Sequence, residues 1–306
     1  MITLSKIVVV GSYVVDLTAR TPHMPKPGET VLGGPFRMGP GGKGGNQAVA
    51  AARLGAEVTM VTKVGKDLFG EDAIQNFKKE GIQSEYVQQV EEESTGAALI
   101  AVDDSGENMI VVSLGACGTI TEEEVLRAED AFREADIILV QLETSMAAIE
   151  TTITLANKLT KPVILNPAPY QKFPEELLHK VTYITPNETE AGLLTGVEVT
   201  GEATAQEAAE KLIAKGVETV IITLGKQGCY LQQTGENNGR LIPGYQVKAV
   251  DTTGAGDAFN GAFAHFIAEG NSLESACTLA NHIAALSVTK HGTAPAMPYL
   301  DELHKQ

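Results

Sequence analysis

Short apolar runs rich in Val and Ile alternate along the chain with longer stretches whose apolar residues recur at helical spacing. The short runs contain few polar residues, which is typical of strands buried on both faces. The predicted strands are Lys6–Val10, Glu57–Val64, Ile137–Leu142, Pro162–Leu165, Val181–Ile184 and Glu218–Leu224. The predicted helices lie near 45–54, 67–80, 121–134, 146–159, 187–195, 203–215, 254–269 and 272–290. This repeated order predicts an α/β fold, a doubly wound and mostly parallel sheet with helices on both faces.

Two regions depart from this order. Residues 13–40 are rich in Pro and Gly, and residues 85–113 hold three predicted strands without intervening helices: Glu85–Val90, Gly96–Val102 and Asn108–Val112. Consecutive strands predict a small β-sheet that projects from the main one, and such a sheet beside an active site can act as a lid. An edge extension without function is the alternative. We therefore predict a single domain over 1–306 with a β-lid built from about 13–40 and 85–115.

The charge balance argues against several classes of function. Asp and Glu number 39 against 23 Lys and Arg, which gives a formal charge of −16. A surface this acidic repels phosphate backbones and anionic lipids, so neither a nucleic-acid partner nor a membrane is expected. No apolar stretch approaches the ~18 residues of a membrane span. Cys117, Cys229 and Cys277 form no C-x-x-C pair, which argues against a disulfide framework or a zinc knuckle and favours a reducing cytoplasm.

A Gly-rich segment precedes the helix predicted near 45–54, and it reads Gly39-Pro40-Gly41-Gly42-Lys43-Gly44-Gly45-Asn46-Gln47. Its glycine spacing matches a dinucleotide fingerprint, but the acidic residue expected after the following strand is missing, and no Gly-Lys-[Ser/Thr] completes a Walker A loop. Glycine residues at a helix start leave backbone amide donors uncovered. Together with Lys43 and Asn46, these donors could closely approach a polyhydroxy ligand or a small anion. A structural turn and a nicotinamide-dependent dehydrogenase are the alternatives.

A second segment, Asp251-Thr252-Thr253-Gly254-Ala255-Gly256-Asp257, begins the helix predicted near 254–269. Its glycines would aim backbone N–H groups at an anion, and the helix dipole adds to that attraction. Asp257 lies in the first turn beside this anion hole. It could merely complement the helix dipole, or it could act as a base, since transfer of phosphate to a hydroxyl needs a base next to donors for the transferring group.

Two further clusters follow predicted strands. Thr185-Pro186-Asn187-Glu188-Thr189-Glu190 combines an N-cap, Asn187, with a capping-box partner, Glu190, so a structural role and a functional one are both open. Thr223-Leu224-Gly225-Lys226-Gln227-Gly228 is a strand end that turns through glycines, and alone it is a weak signal.

In this order the four segments resemble the ribokinase family of sugar kinases, and the similarity runs from Gly11 to Gly292. The resemblance implies a ribokinase-like fold with a β-lid shared in a homodimer. It also implies ATP and Mg²⁺ as cosubstrates, a pentose as acceptor and a stimulating K⁺. By motif position, Asp257 would be the catalytic base, and Gly254, Ala255 and Gly256 would form the anion hole.

The resemblance also implies the binding residues. Those at the sugar would be Val14, Asp16, Gly42, Lys43, Gly44, Gly45, Asn46, Glu143 and Asp257. Those at the nucleotide and its hydrated Mg²⁺ would be Asn187, Glu190, Thr223, Leu224, Gly225, Lys226, Gln227, Gly228, Gly256 and, near the adenine, Asn281. Those around the monovalent cation, several through backbone carbonyls, would be Asp251, Thr253, Ser287, Lys290, Gly292 and Ala296.

The chain departs from the family pattern at the sugar. Where ribokinases usually read Gly-Ser-x-Asn-x-Asp, this chain reads Gly11-Ser12-Tyr13-Val14-Val15-Asp16. Val14 cannot hydrogen-bond a sugar hydroxyl, and deoxyribose kinases resemble this chain in placing an apolar residue there. The prediction is therefore ATP-dependent phosphorylation of the primary (5-) hydroxyl of a pentose, giving ribose 5-phosphate or 2-deoxyribose 5-phosphate. A kinase for another small sugar or nucleoside, and a non-catalytic sugar sensor, are the alternatives.

Overall fold

The computed structural model describes residues 4–304, so both ends of the domain predicted over 1–306 lie outside the described residues. Its strands are, in chain order, β1 (Lys6–Val10), β2 (Val14–Thr21), β3 (Phe36–Gly41), β4 (Glu57–Gly65), β5 (Gln83–Val90), β6 (Thr95–Asp103), β7 (Asn108–Gly115), β8 (Ile137–Gln141), β9 (Val163–Asn166), β10 (Tyr183–Ile184), β11 (Thr219–Thr223), β12 (Gly228–Gln233) and β13 (Arg240–Pro243). Its helices are α1 (Lys43–Arg53), α2 (Leu68–Lys79), α3 (Glu122–Leu126), α4 (Glu129–Glu134), α5 (Met146–Lys158), α6 (Glu188–Thr195), α7 (Glu202–Ala214), α8 (Ala255–Ala268) and α9 (Leu273–Ser287).

The main sheet of the described chain has nine strands in the order β13-β12-β11-β10-β9-β8-β1-β4-β5. Neighbouring strands from β11 through β5 are parallel, and β12 and β13 add antiparallel pairs at one edge. The central strands β1 and β8 are buried almost throughout, which explains why their sequences are continuous apolar runs. The predicted α/β fold with a mostly parallel sheet is confirmed.

Helices cover both faces of the main sheet. Val8 and Val10 of β1 face one apolar core, shared with α3 to α7, whereas Ile7 and Val9 face a second core, shared with α1, α2, α8 and α9. Helices α1 and α8 cross closely at Gly261, where a Cβ atom would lie 2.5 Å from the carbonyl oxygen of α1 residue 47. The crossing places the start of α1 beside the start of α8, where two of the Gly-rich segments meet.

The second sheet is the lid, with strand order β3-β2-β6-β7. Strands β2 and β6 are parallel, and the two outer pairs are antiparallel. Between the lid and the loops 249–253 and 291–295 lies a cavity of about 620 Å³.

Three predictions about elements need correction. The strand predicted at Glu85–Val90 is not part of the lid, because β5 follows the crossover helix α2 and pairs in parallel with β4 at the edge of the main sheet. The lid strands therefore span 14–41 and 95–115 and exclude residues 85–90. A turn at Arg127 and Ala128 divides the helix predicted over 121–134 into α3 and α4. The sequence did not predict β12 and β13, which are short and include polar residues.

Candidate active site

The predicted functional segments meet at the carboxyl ends of the parallel strands, where ligands bind in open α/β sheets. A cleft of about 170 Å³ lies there, and its lining includes Lys43, Asn166, Asn187, Glu190 and Asp257. These residues come from α1, β9, α6 and α8 or the loops before them, so the cleft depends on the whole sheet rather than on one motif.

Asp257 is held from two directions at the floor of this cleft. It lies in the first turn of α8 with 6% of its surface exposed. Its Oδ2 atom accepts a hydrogen bond from Asn46 Nδ2 at 2.9 Å, and its Oδ1 atom accepts one from Gln47 Nε2 at 3.0 Å. Both donors stand at the start of α1, so the close crossing of α1 and α8 fixes the orientation of the carboxylate.

A buried amide network extends from this carboxylate into the sheet. Gln47 Nε2 also donates to Asn166 Oδ1 at 3.0 Å, and Gln47 Oε1 accepts from Gln141 Nε2 at 2.8 Å. Asn166 Nδ2 in turn donates to the Thr185 carbonyl at 3.0 Å. No role was predicted for Gln47, Asn166 or Gln141. The sequence signal that could have indicated them is position, since Gln47 directly follows Asn46, and Gln141 and Asn166 are the last residues of buried strands.

The N-terminus of α8 presents backbone donors to the same cleft. Gly254 adopts the left-handed conformation with φ of 80°, which favours glycine, and turns the chain into the helix. Among the described residues no side chain caps this helix. A Cβ atom on Gly256 would meet nothing within 4 Å, so the first turn faces open space. Together with the helix dipole, these amides can bind an anion next to Asp257.

Three carboxylates, those of Glu143, Glu190 and Asp257, surround Lys43. Glu143 Oε2 accepts from Ser12 Oγ at 2.5 Å and from the Lys43 backbone N–H at 2.8 Å. Burial alone would lower the pKa of the Lys43 ammonium, but the carboxylates of Asp257, Glu143 and Glu190 outweigh it and raise that pKa. Burial raises the pKa of Glu190, and Lys43 opposes the shift. Lys43 is therefore a stable cation at the centre of the site.

Asp16 faces the site from the lid strand β2. Burial raises its pKa to about 6, the Thr293 hydroxyl opposes the shift by donating to Oδ2 at 2.9 Å, and the charges of Glu143 and Asp257 add to it. Thr293 also donates to the Pro40 carbonyl at 3.1 Å, so it joins the C-terminal loop to the lid. The sequence analysis did not identify Thr293, because nothing local connects it to the Gly-rich segments.

The glycines predicted at the sugar shape the loop around it. Gly42 has φ of 82°, and a Cβ atom there would lie 2.7 Å from the Val14 nitrogen. Gly44 and Gly45 pack against Ser12 and the next residue, since a Cβ atom on Gly44 would lie 2.7 Å from the Ser12 carbonyl oxygen. These two residues therefore allow the loops to approach each other.

Val14 lies two residues before Asp16 on β2, so the two side chains share one face of the strand. It is 2% exposed, and its parallel partner on β6 is Gly96, where a Cβ atom would come 2.7 Å from Val14 Cγ1. The methyl groups of Val14 therefore fill the space next to Asp16 on this face of the lid.

Of the residues predicted at the nucleotide, those that line the cleft are Asn187, Glu190, Thr223 and Gly256, and the others lie outside its lining. Asn187 and Glu190 form a reciprocal capping box at the start of α6, with the Glu190 N–H donating to Asn187 Oδ1 at 2.8 Å and the Asn187 N–H donating to Glu190 Oε2 at 2.9 Å. An isolated parallel bridge joins Asn187 to Thr223, which brings the segment Thr223–Gly228 beside this cap. The Asn281 amide donates to the carbonyls of Ile242 and Pro243 at 3.1 and 3.2 Å, so it fixes the end of β13.

Asp251 ties together two loops of the predicted cation site. Its Oδ1 atom accepts from the Thr253 N–H and its Oδ2 atom from the Gly292 N–H, both at 3.0 Å. Burial alone would raise the pKa of Asp251, but these amide donors lower it, so the carboxylate is anionic near neutral pH.

The other predicted cation ligands can contribute carbonyl oxygens. The Lys290 ammonium pairs with Glu302 at 2.7 Å and the Ser287 hydroxyl donates to the Ala284 carbonyl, so their side chains are engaged elsewhere. Ala296 is buried in a short turn. The described residues contain no cluster of three or more His, Cys, Asp or Glu that could hold a metal.

An uncapped helix N-terminus beside an oriented carboxylate, closed over by a lid, defines an enzyme that transfers a phosphoryl group to a hydroxyl. The model of the pfkB family carbohydrate kinases matches residues 4–300. The chain therefore belongs to the pfkB family of carbohydrate kinases, and it is a ribokinase-like sugar kinase.

Relatives with assigned activities cover the full chain. A ribokinase of Haemophilus influenzae is 43% identical over 96% of this chain and 95% of its own length. A deoxyribokinase of Salmonella typhi is 38% identical over 98% of this chain and 97% of its own. The structure of Arabidopsis thaliana ribokinase complexed with ribose and ATP has a TM-score of 0.89 and 32% identity, covering 99% of this chain and 98% of that one. In the described part of the chain no helix is long and apolar enough to cross a membrane.

Proposed function

We propose that this kinase uses ATP to phosphorylate the primary (5-) hydroxyl of a pentose, giving ribose 5-phosphate or 2-deoxyribose 5-phosphate. The observation that carries the proposal is Asp257, buried beside the open N-terminus of α8 with both carboxylate oxygens oriented by amide donors. The ribokinases and the deoxyribokinase that are similar over the whole chain support a pentose as the acceptor.

Asp257 accepts the proton of the hydroxyl as the sugar oxygen bonds to the γ-phosphorus of ATP, and the bond from that phosphorus to the bridging oxygen breaks, which releases ADP. The amides of Gly254, Ala255 and Gly256 stabilise the negative charge on the transferring phosphoryl group, and the α8 dipole adds to their effect. Lys43 stands among the carboxylates at the same point and can neutralise charge between sugar and phosphate. Asp16 and Asn46 hold the sugar by its other hydroxyls, which presents the primary hydroxyl to the base.

Asn187 and Glu190 would hold the hydrated Mg²⁺ that accompanies ATP and neutralises its phosphates. The fit rests on Glu190, a 9% exposed carboxylate whose Oε2 atom accepts the Asn187 N–H. With no three-residue metal cluster in the described chain, such an ion would be bound mainly by phosphate and water oxygens. The segment Thr223–Gly228 and Asn281 would line the nucleotide.

Val14 is the basis for including 2-deoxyribose as an acceptor. Its methyl groups face the same side of β2 as Asp16, so a hydroxyl placed against them would lack a partner there. A sugar with hydrogen at carbon 2 would avoid that cost and could pack on the methyl groups.

A monovalent cation site is part of the proposal. Asp251 is an anionic carboxylate between two loops, and backbone carbonyls of Thr253, Ser287, Lys290, Gly292 and Ala296 would complete an all-oxygen set that suits K⁺. A cation there would order the loop that leads into α8.

We also propose a homodimer through the outer face of the lid. Alternate residues on three strands, β3, β6 and β7, place Phe36, Met38, Leu99, Met109 and Val111 on this face, and all are more than half exposed. An apolar patch of this extent favours a second copy as its partner. Light scattering at micromolar concentration should give twice the chain mass for the parent and a monomer for L99K.

A coupled assay of ADP release with a panel of sugars and nucleosides tests the function. Turnover with ribose or 2-deoxyribose and none with nucleosides would support it. Tight sugar binding without turnover would identify a sensor, and preference for another small sugar or a nucleoside would replace the acceptor. Binding of NADH would favour the dehydrogenase alternative.

A further inference from the structure

Two arginines lie on the inner face of the lid, outside the predicted sugar subsite. On β2, Thr18 pairs with Arg37 of β3 and with Ile100 of β6, and two residues further along Arg20 pairs with Val102. Paired residues, and residues two apart on one strand, project from the same face of a sheet. Arg20 and Arg37 are therefore diagonal neighbours, and both border the cavity of about 620 Å³.

Neither guanidinium has a side-chain partner among the described residues, although the chain carries a net charge of −16. Each of the other arginines does have one. Arg53 pairs with Glu80, Arg133 with Glu129 and Arg240 with Glu236, and Arg127 meets the side-chain oxygen of Gln88 once that amide is turned by 180°. Both residues are exposed, so their guanidinium groups are open to an anion placed between them, which would interact favourably with both.

The backbone positions of the pair lie further along the lid than Asp16, in the lining of the same cavity. Arg37 pairs with Thr18, which is two residues from Asp16 along β2, or about 7 Å in the strand direction. Arg20 is four residues from Asp16, or about 13 Å in the same direction. Across the cavity, Asp251 is the facing carboxylate, and both of its oxygens already accept backbone N–H groups. His291 borders the same space and adds a third potential donor.

We propose that Arg20 and Arg37 form an oxyanion subsite beneath the lid that binds a carboxylate or phosphate group. The planar guanidinium presents paired donors that match these groups. The subsite rests on the proposed sugar kinase function and is distinct from the N-terminus of α8, which serves the phosphates of the nucleotide. The oxyanion is either free or carried by the acceptor at the end opposite the hydroxyl that is phosphorylated.

The test measures binding by calorimetry in the absence of nucleotide. The proteins are the parent, R20Q/R37Q, R20K/R37K and the control R133Q, which removes one positive charge from an exposed position of α4 outside the lid. The probes are inorganic phosphate, ribose 1-phosphate and ribonate, with ribose as the neutral reference. We expect the parent and R133Q to bind at least one anionic probe about 10-fold or more tightly than R20Q/R37Q. R20K/R37K should bind it with an intermediate affinity, because lysine keeps the positive charge but lacks the paired donors of the guanidinium.

The probes distinguish the two sources of the anion. An arginine-dependent gain for inorganic phosphate indicates a free anion, whereas a gain confined to ribose 1-phosphate or ribonate indicates an acceptor with an anionic end. Equal affinities of R20Q/R37Q and R133Q for every anionic probe would overturn the subsite, provided that ribose binds both with the affinity of the parent. Turnover of ribose by the parent is measured separately, so failure of the pentose kinase proposal leaves the binding result readable.

Discussion

Replacing Asp257 by Asn should remove the base and leave the site assembled. Both carboxylate oxygens accept N–H donors, so the new amide nitrogen would face either Asn46 Nδ2 or Gln47 Nε2. Asn46 can resolve this conflict, because its Oδ1 atom is buried without a partner and a rotation of its amide would turn that oxygen toward the new donor. Base catalysis contributes about 10²–10⁴-fold, so we expect kcat to fall by that factor while sugar affinity changes little.

The assay is ADP release at saturating sugar, with sugar affinity measured independently by calorimetry. Asp257→Ala serves as a contrast, since it leaves two buried donors unpaired at a cost of about 1–3 kcal/mol each and should lower the melting temperature as well. If Asp257→Asn keeps more than a tenth of the parent kcat, Asp257 is not the base. If kcat and sugar affinity fall together, the carboxylate acts in binding.

Four further expectations follow from the same geometry. Val14→Asn should shift the ratio of kcat/KM for ribose over 2-deoxyribose toward ribose by about 5- to 150-fold, and an unmoved ratio would show that Val14 does not face the sugar. Turnover should be faster in K⁺ than in Na⁺ at equal ionic strength, and identical rates would contradict the cation site. Asp16, with its pKa raised to about 6, must be ionised to accept sugar hydroxyls, so kcat/KM for the sugar should fall below about pH 6. Thr293→Val removes the donor that opposes this shift and should move the midpoint upward, which a pH profile of both proteins will show. Gln47→Leu should lower kcat by about tenfold or more and lower the melting temperature, because it releases the Asp257 carboxylate and leaves buried amides unpaired, whereas normal kcat would assign the network to folding alone.

The features set by local sequence could be predicted. Strands buried on both faces must be apolar throughout, so β1 and β8 were recognisable from their composition. Caps depend on a few neighbouring residues, and Asn187 accepts the Glu190 N–H as its position before the predicted helix indicated. Asp257 was likewise placed at a helix start by the glycines before it.

The features set by distant contacts could not be predicted. The hydrogen bond between Thr293 and Asp16 joins residues 277 positions apart, and that between Gln47 and Asp257 joins residues 210 apart. β5 has the composition of a lid strand, and only its pairing with β4 assigns it to the main sheet. The inner and outer faces of the lid also depend on strand register, which the sequence of one strand does not contain.

The charge of the site explains why phosphate binding must rest on backbone amides. Lys43 stands among Glu143, Glu190 and Asp257, and Asp16 lies near two of these carboxylates, so the side chains of the site carry more negative charge than positive. These carboxylates would repel an added phosphoryl group unless unpaired hydrogen-bond donors faced it. The open N-terminus of α8 supplies such donors, and glycine in its first turn keeps them accessible. In the proposed mechanism, the hydroxyl proton would move onto Asp257 as negative charge builds on the phosphoryl oxygens, and the amides of α8 would bind those oxygens.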